Sequence, residues 1–473
     1  MLMSSRKEQD GLGSVDVPVE ALWGAQTQRS INNFDIGGDR FPEDFIQTFA
    51  LVKKAAARAN CELGLLPALQ TRLICQACDE IIAGRHAEQF PLVVWQTGSG
   101  TQTNMNLNEV IANRANEIDG QQRGQKQPVH PNDHVNCSQS SNDVFPSVMH
   151  VAVVLRWRQH LLPALACLTR EFEEKEQAFA EHVKVGRTHL MDAAPVTLGQ
   201  EFSGYASQLR YASRQLEHGL GSLYSLALGG SAVGTGLNTH PAWAATVSRE
   251  ISRLTGSGFQ PADNAFMALA CHDQLVNFHG CLRVLALALY KIGNDLRWLA
   301  SGPRCGLNEL RLPANEPGSS IMPDKVNPTQ IEALTMVVAQ VIGNDACVAF
   351  AGSQGQLELN VFKPVIILNI LKSMRLLADS MDSFRKNCVA GIGVNDAQLA
   401  TNIERSLMLV TALNPVIGYD NAAKVAKLAR EKNISLKQAV LELGYLDESR
   451  FDELVDPRKM LGPNISSQEN IEG

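Results

Sequence analysis

Residues 275–299 read LVNFHGCLRVLALALYKIGNDLRWL. Within them Leu275, Phe278, Leu282, Leu285, Leu289, Ile292, Leu296 and Leu299 follow one another by alternating steps of three and four. That spacing puts all eight on one stripe of a 3.6-residue helix, and it predicts a continuous helix roughly 37 Å long at 1.5 Å per residue. The step recurs at Ile331, Leu334, Val338 and Val341, and again at Ile367, Ile370, Met374, Leu377, Met381 and Phe384. Three heptad-like seams in one region predict long helices that bury their stripes against one another, in a bundle that can also recruit further subunits.

The character changes on either side of this region. Residues 1–139 are mixed: VDVPV (15–19) alternates like a short strand, and glycine and proline recur between short amphipathic segments. Beyond Gly391 the segments shorten, with KVAKLAREK (424–432) and SLKQAVLELG (435–444) reading as small amphipathic helices. The expectation is a mainly α chain in three parts: 1–139, a central bundle over 140–395, and a small helical domain over 396–473.

Composition narrows the function. The 473 residues carry 42 basic and 49 acidic side chains, a formal charge of −7, without a long run of either sign. Such a balance argues against nucleic acid or an anionic membrane as the main partner, and leaves small anionic substrates open. The start, MLMSSRKEQDGLG, shows neither an apolar signal core nor a transit pattern. No run of about 18 uncharged apolar residues occurs, so no membrane span is expected. Ten cysteines among mostly apolar neighbours read as reduced thiols of a cytoplasmic chain. The pair in CQAC (75–78) sits in a helical pattern without a second matching pair, and reads as core thiols rather than a metal or redox site. LGGSAVGTGLN (228–238) lacks G-x-G-x-x-G and reads as a tight loop between helices rather than a dinucleotide cradle.

Four polar blocks stand out. TGSGTQTNMNLNEV (97–110) concentrates Ser99, Thr101, Gln102, Thr103, Asn104, Asn106 and Asn108. Hydroxyls and amides at this density suit a carboxylate ligand, or equally a polar turn capping a helix that begins near Leu107. In HPNDHVNCSQSSNDVFP (130–146), Ser140, Ser141 and Asn142 precede a helical run starting near Asp143, an end whose free N–H groups cap or bind anions. GRTHLMDA (186–193) adds Arg187, Thr188 and His189; a lone histidine is more often structural than catalytic. In GSSIMPDKVNP (318–328), Asn327-Pro328 reads as a helix start that places Glu332 in the first turns. A Glu332 carboxylate meeting His189 would orient the imidazole and raise its basicity.

Together these blocks resemble the signatures of the fumarase/aspartase superfamily, and within it those of the class II fumarases. The resemblance runs on through LWGAQTQRS (22–30), LALGGSAVGTGLNTHP (226–241), WLASGPRCG (298–306) and SLMLVTALN (406–414), covering essentially the whole chain. It implies a mostly helical three-domain subunit and a homotetramer around a shared central bundle, with each active site drawn from three subunits. It implies reversible addition of water to fumarate, giving (S)-malate, with no metal or organic cofactor. On this resemblance Ser319 is the base for the C3 proton. Thr188 and His189 stand near the departing hydroxyl, with Glu332 as the partner of His189. Ser99, Gly100, Thr101, Ser140, Ser141, Asn142, Ser320, Lys325, Val326 and Asn327 bind the substrate carboxylates. His130, Pro131, Asn132 and Asp133 form a second, non-catalytic dicarboxylate site.

Two departures stand out. Asp324 occupies a position that is usually glycine in class II fumarases. Gln127 lies three residues before His130, in a stretch where those fumarases tend to carry arginine, so a weaker second site is expected. Aspartate ammonia-lyases share the serine loop but tend to have glutamine where this chain has His189. A non-catalytic helical scaffold, as some superfamily members have become, is opposed by Ser319, His189, Lys325, Asn327 and Glu332 occurring together.

Overall fold

The structure is a computed structural model that describes residues 4–463; the outermost residues of the expected terminal domains, 1–3 and 464–473, lie outside it. It is mainly helical, and its strands form only two-stranded pairs. The three seams are the long helices Asp273–Leu299, Thr329–Gly352 and Lys363–Asn387. Every seam residue named above is buried, none more than 5% exposed. The 3–4 step was therefore reporting burial on one stripe, the dominant stabilising term for such helices.

Contacts divide the chain into two compact units. One comprises Met1–Pro163, Ala212–Ala286 and Val337–Ala378; the other comprises Ala164–Tyr211, Leu287–Met336 and Asp379–Gly473. In the first, Val15–Pro18 of the expected segment lies in a strand, Gly13–Pro18, which pairs antiparallel with Ser5–Asp10, and Val19 falls just beyond it. Helices Ala25–Asn33, Glu43–Glu62, Ala68–Ile82, Thr101–Ile118 and Ser141–Arg156 follow. Glu109, buried in the fourth of these, accepts from the backbone N–H groups of Gly24, Gln26 and Thr27 and so caps the first. Cys75 and Cys78 both lie in Ala68–Ile82 as free thiols, and burial pushes both pKa values up, which suits inert core residues.

In the second unit Val183–Thr188 and Met191–Thr197 form a hairpin. The C-terminal segment has its own small core, in which Leu409, Leu413, Val425, Leu436, Val440 and Phe451 are buried together. Its helix Tyr419–Lys432 begins five residues ahead of the expected 424, and Leu436–Leu443 stands where the sequence put it, started by a Ser435–Gln438 capping box and ended by Gly444 in the left-handed region.

Two seam helices, Asp273–Leu299 and Thr329–Gly352, are long and apolar enough by length and composition to cross a membrane. The expectation of no such span rested on their interrupting charges, among which the structure pairs Arg283 with Asp345 and Lys291 with Asp295. Both helices also carry large exposed apolar side chains, among them Leu287, Trp298, Met336 and Phe350.

Candidate active site

The first polar block is not a loop leading to a helix at Leu107. The helix begins at Thr101, six residues earlier than expected, with Gly100 as its left-handed cap at φ 79°. Gly100 is required there because a Cβ would stand 2.2 Å from the Phe145 ring. Most of the amides then fall on buried faces and serve the fold. Asn104 and Asn108 both donate to Asn136 Oδ1, and Asn106 donates to the Gln89 carbonyl. What remains for a ligand is the helix start. Ser99 Oγ, Thr101 Oγ1 and Ser141 Oγ form a hydroxyl chain with links of 2.8 and 2.7 Å.

Ser141 opens the other helix of this chain, Ser141–Arg156, two residues earlier than read. Ser140 is its cap, in a reciprocal box with Asp143. Asp143 was absent from the expected site, yet it organises it. Its carboxylate also accepts from Gly229 N at 3.1 Å and Ser231 N at 2.8 Å, while Asn142 donates to the Ala232 carbonyl. The glycine-rich loop is thus docked onto the serine block. Burial pushes Asp143 up to about 7 and its buried neighbour Lys53 down to about 7. The S-x-x-D capping pattern was the signal available in the sequence for this residue.

The HPND residues form one wide turn, Pro131–Val135, in which His130 Nδ1 accepts from the N–H groups of Asn132 and Asp133. Burial lowers the His130 pKa; Asp133 opposes this, and Lys126 reinforces it. A cleft of about 360 Å³ adjoins Pro131 and Asn132. Glu8, Asp10 and Glu109 line it against Lys126, a poor electrostatic setting for a dianion.

In the second unit, Thr188 is the exposed last residue of the strand Val183–Thr188, and His189 (φ 56°) and Leu190 (φ 61°), both left-handed, form the exposed tip of the hairpin. The serine segment is a tight bend. Ser319 N donates to the Lys325 carbonyl at 3.0 Å, and Ser319 Oγ accepts from Ile321 N at 3.3 Å and Met322 N at 3.1 Å. Two N–H groups aimed at one hydroxyl oxygen favour its anionic form over its neutral form. Gly318 (φ 87°) permits the bend, since a Cβ there would stand 1.9 Å from the Lys325 carbonyl oxygen. Lys325 Nζ donates to Asn327 Oδ1 at 2.6 Å, joining the two expected clamp residues. Ser320, Val326 and Asp324 are exposed, and Asp324 has φ 66°, a conformation glycine adopts freely and aspartate tolerates.

The helix after this segment starts at Thr329, one residue later than expected, and keeps Glu332 in its first turn. Glu332 is exposed, and among the described residues no hydrogen bond or ion pair joins it to His189. Nor does any group of three or more His, Cys, Asp or Glu among the described residues suit a metal ion.

Comparison with known proteins bears on the family of the chain. The lyase family's model matches residues 13–343, and that of the fumarase C C-terminus matches 409–462. A class II fumarate hydratase of Thermosynechococcus vestitus is 58% identical over 99% of this chain and all of its own length. One from Nitrosomonas europaea is 58% identical over 96% of this chain and 98% of its own. The crystal structure of a class II fumarase from Schistosoma mansoni superimposes with a TM-score of 0.95 at 44% identity, covering 97% of this chain and 99% of that one. With a family model matched over more than half its length and relatives matched from end to end, the chain belongs to the class II fumarate hydratases, within the lyase family.

Proposed function

We propose that this protein catalyses the reversible, anti addition of water to fumarate, giving (S)-malate. The observation that carries the reading is the Ser319 bend, where a serine oxygen is held by two backbone N–H groups beside a lysine–asparagine clamp. In the dehydration of malate Ser319, as alkoxide, takes the C3 proton. The charge left on the adjacent carboxylate is stabilised by Lys325 and Asn327 near the start of the Thr329–Gly352 helix. As the C2–O bond breaks, the C3 electron pair becomes the double bond. His189 gives the departing hydroxyl its proton, directly or through water, with Thr188 beside it. Ser99, Gly100, Thr101, Ser140, Ser141, Asn142, Ser320 and Val326 complete the carboxylate set. The reaction needs neither metal nor organic cofactor.

In this reading the enzyme is a soluble, cytoplasmic homotetramer with sites shared between subunits, and the carboxylate that orients His189 is Glu332 in the assembled protein. The exposed apolar faces of the seam helices support the assembly. The expected division at 139 and 395 enters the same reading, supported at its C-terminal end by the separate core and family match there. The HPND turn is a second dicarboxylate site of low affinity, as the acids lining its cleft favour.

Purified protein supplied separately with fumarate, malate and aspartate tests the reaction through the ultraviolet band of fumarate. Fumarate is expected to form from malate and to be consumed on hydration. Fumarate formed from aspartate but not malate would make the protein an ammonia-lyase, and silence with all three would make it a scaffold. A paired substitution tests the loop. Gly318→Ala is expected to lower kcat by about 10²-fold, because its Cβ must displace the bend that carries Ser319. Asp324→Gly, at an exposed position whose φ suits glycine, is expected to leave KM for malate within about twofold. A large fall in that KM would show the carboxylate opposing substrate.

A further inference from the structure

His189 and Leu190 form the two-residue tip of their hairpin, with Thr188 paired to Met191. A tip with both residues left-handed is the geometry that Asn-Gly or Gly-Gly adopts readily, and neither histidine nor leucine prefers it. The turn sequence therefore does not explain the turn, and the hairpin stem has to impose it.

One buried carboxylate meets the stem close to the tip. Glu309 is wholly buried. Its Oε1 accepts from Arg187 at 2.7 Å and from Asn402 Nδ2 at 3.0 Å, and its Oε2 faces Lys184 Nζ at 3.1 Å. Two cations of the strand Val183–Thr188 thus meet one carboxylate, and Arg187 lies two residues from His189. Glu309 is itself fixed by its backbone, donating to the Leu299 carbonyl and accepting from Asn395 N. Between Val185 and Arg187 the pairing register shifts, so the last residues before the tip need an anchor beyond the ladder. Glu201 touches the strand only farther back, at Lys184.

We infer that Glu309 is a positioning residue for the reaction, setting the place of His189 through Arg187. The inference rests on the proposed role of His189. Glu309 touches no reacting atom; it decides whether the imidazole stands within reach of the departing hydroxyl, and a displacement of about 1 Å there costs on the order of 10²-fold in rate.

The test is a double-mutant cycle on the full-length protein, with kcat, KM and thermal midpoint measured for each variant. Glu309→Gln is expected to lower kcat by about 10- to 100-fold with KM for malate changed less than about threefold. In a His189→Asn background the same change is expected to cost less than about threefold more, because the residue it positions is gone. Glu201→Gln, which loosens Lys184 alone, is expected to lower the thermal midpoint while leaving kcat within about twofold. Should Glu309→Gln not fold, Arg187→Gln enters the same cycle, since it breaks the link to the tip and leaves Glu309 with Lys184 and Asn402. A full multiplicative loss in the His189→Asn background, or an equal fall of kcat in Glu201→Gln, would reduce Glu309 to a structural ion pair. Wild-type turnover in His189→Asn alone would remove the assignment of His189, and this inference with it.

Discussion

Ser319→Ala is expected to lower kcat for malate dehydration on the order of 10³-fold, the scale of losing a positioned general base. The C3 hydrogen of malate is very weakly acidic, because its removal puts a second negative charge on a carboxylate. A serine is normally too weak a base for that step. The bend shifts the balance, since Ile321 and Met322 already donate to Ser319 Oγ before any substrate arrives. Alanine removes the acceptor and leaves the donors. Because the segment is largely exposed, stability changes by no more than about 1 kcal/mol, the scale of a lost capping bond. The discriminating measurement is exchange of the malate C3 hydrogen with solvent deuterium, which is expected to disappear together with turnover. Exchange persisting at the wild-type rate in Ser319→Ala would place the base elsewhere.

His189→Asn is expected to cost about 10²- to 10³-fold in kcat with KM little changed, as removal of a general acid does. Its signature differs from that of Ser319→Ala. With Ser319 intact the C3 proton still leaves and returns, so exchange is expected to outlast net dehydration. The exposed hairpin tip makes a fold defect an unconvincing explanation for any loss, and an unchanged thermal midpoint checks this. A variant retaining near-wild-type kcat would return His189 to the structural class to which a lone histidine ordinarily belongs. His130→Asn is the contrasting control. Its ring caps a turn in the other unit, and turnover is expected to survive its loss.

Local patterns were legible in the sequence wherever their cause was local. The 3–4 seams reported burial on one helical stripe, and Ser435 and Gly444 marked the two ends of a short helix because capping is settled within four residues. The boundary at Leu107 was misplaced for the same reason in reverse. A dense run of asparagines mimics a polar turn, and only Asn136 and Gln89, reached across the fold, make those amides compatible with a buried helix. Position 324 shows a middle case. Aspartate stands there where class II fumarases usually have glycine, and the φ of 66° reveals a backbone requirement that both residues meet.

The sequence by itself determined a mainly helical chain with three apolar seams, the blocks that carry the chemistry, and the family those blocks resemble. It did so because helical periodicity, helix starts and tight bends are written in neighbouring residues. Only the tertiary structure decided which polar groups serve the fold and which remain for a ligand. Asp143 joins a serine block to a loop almost ninety residues away, and Glu309 meets Arg187 across 122 residues. A buried charge takes its meaning from the partner that desolvation forces on it, and that partner is chosen by packing rather than by spacing.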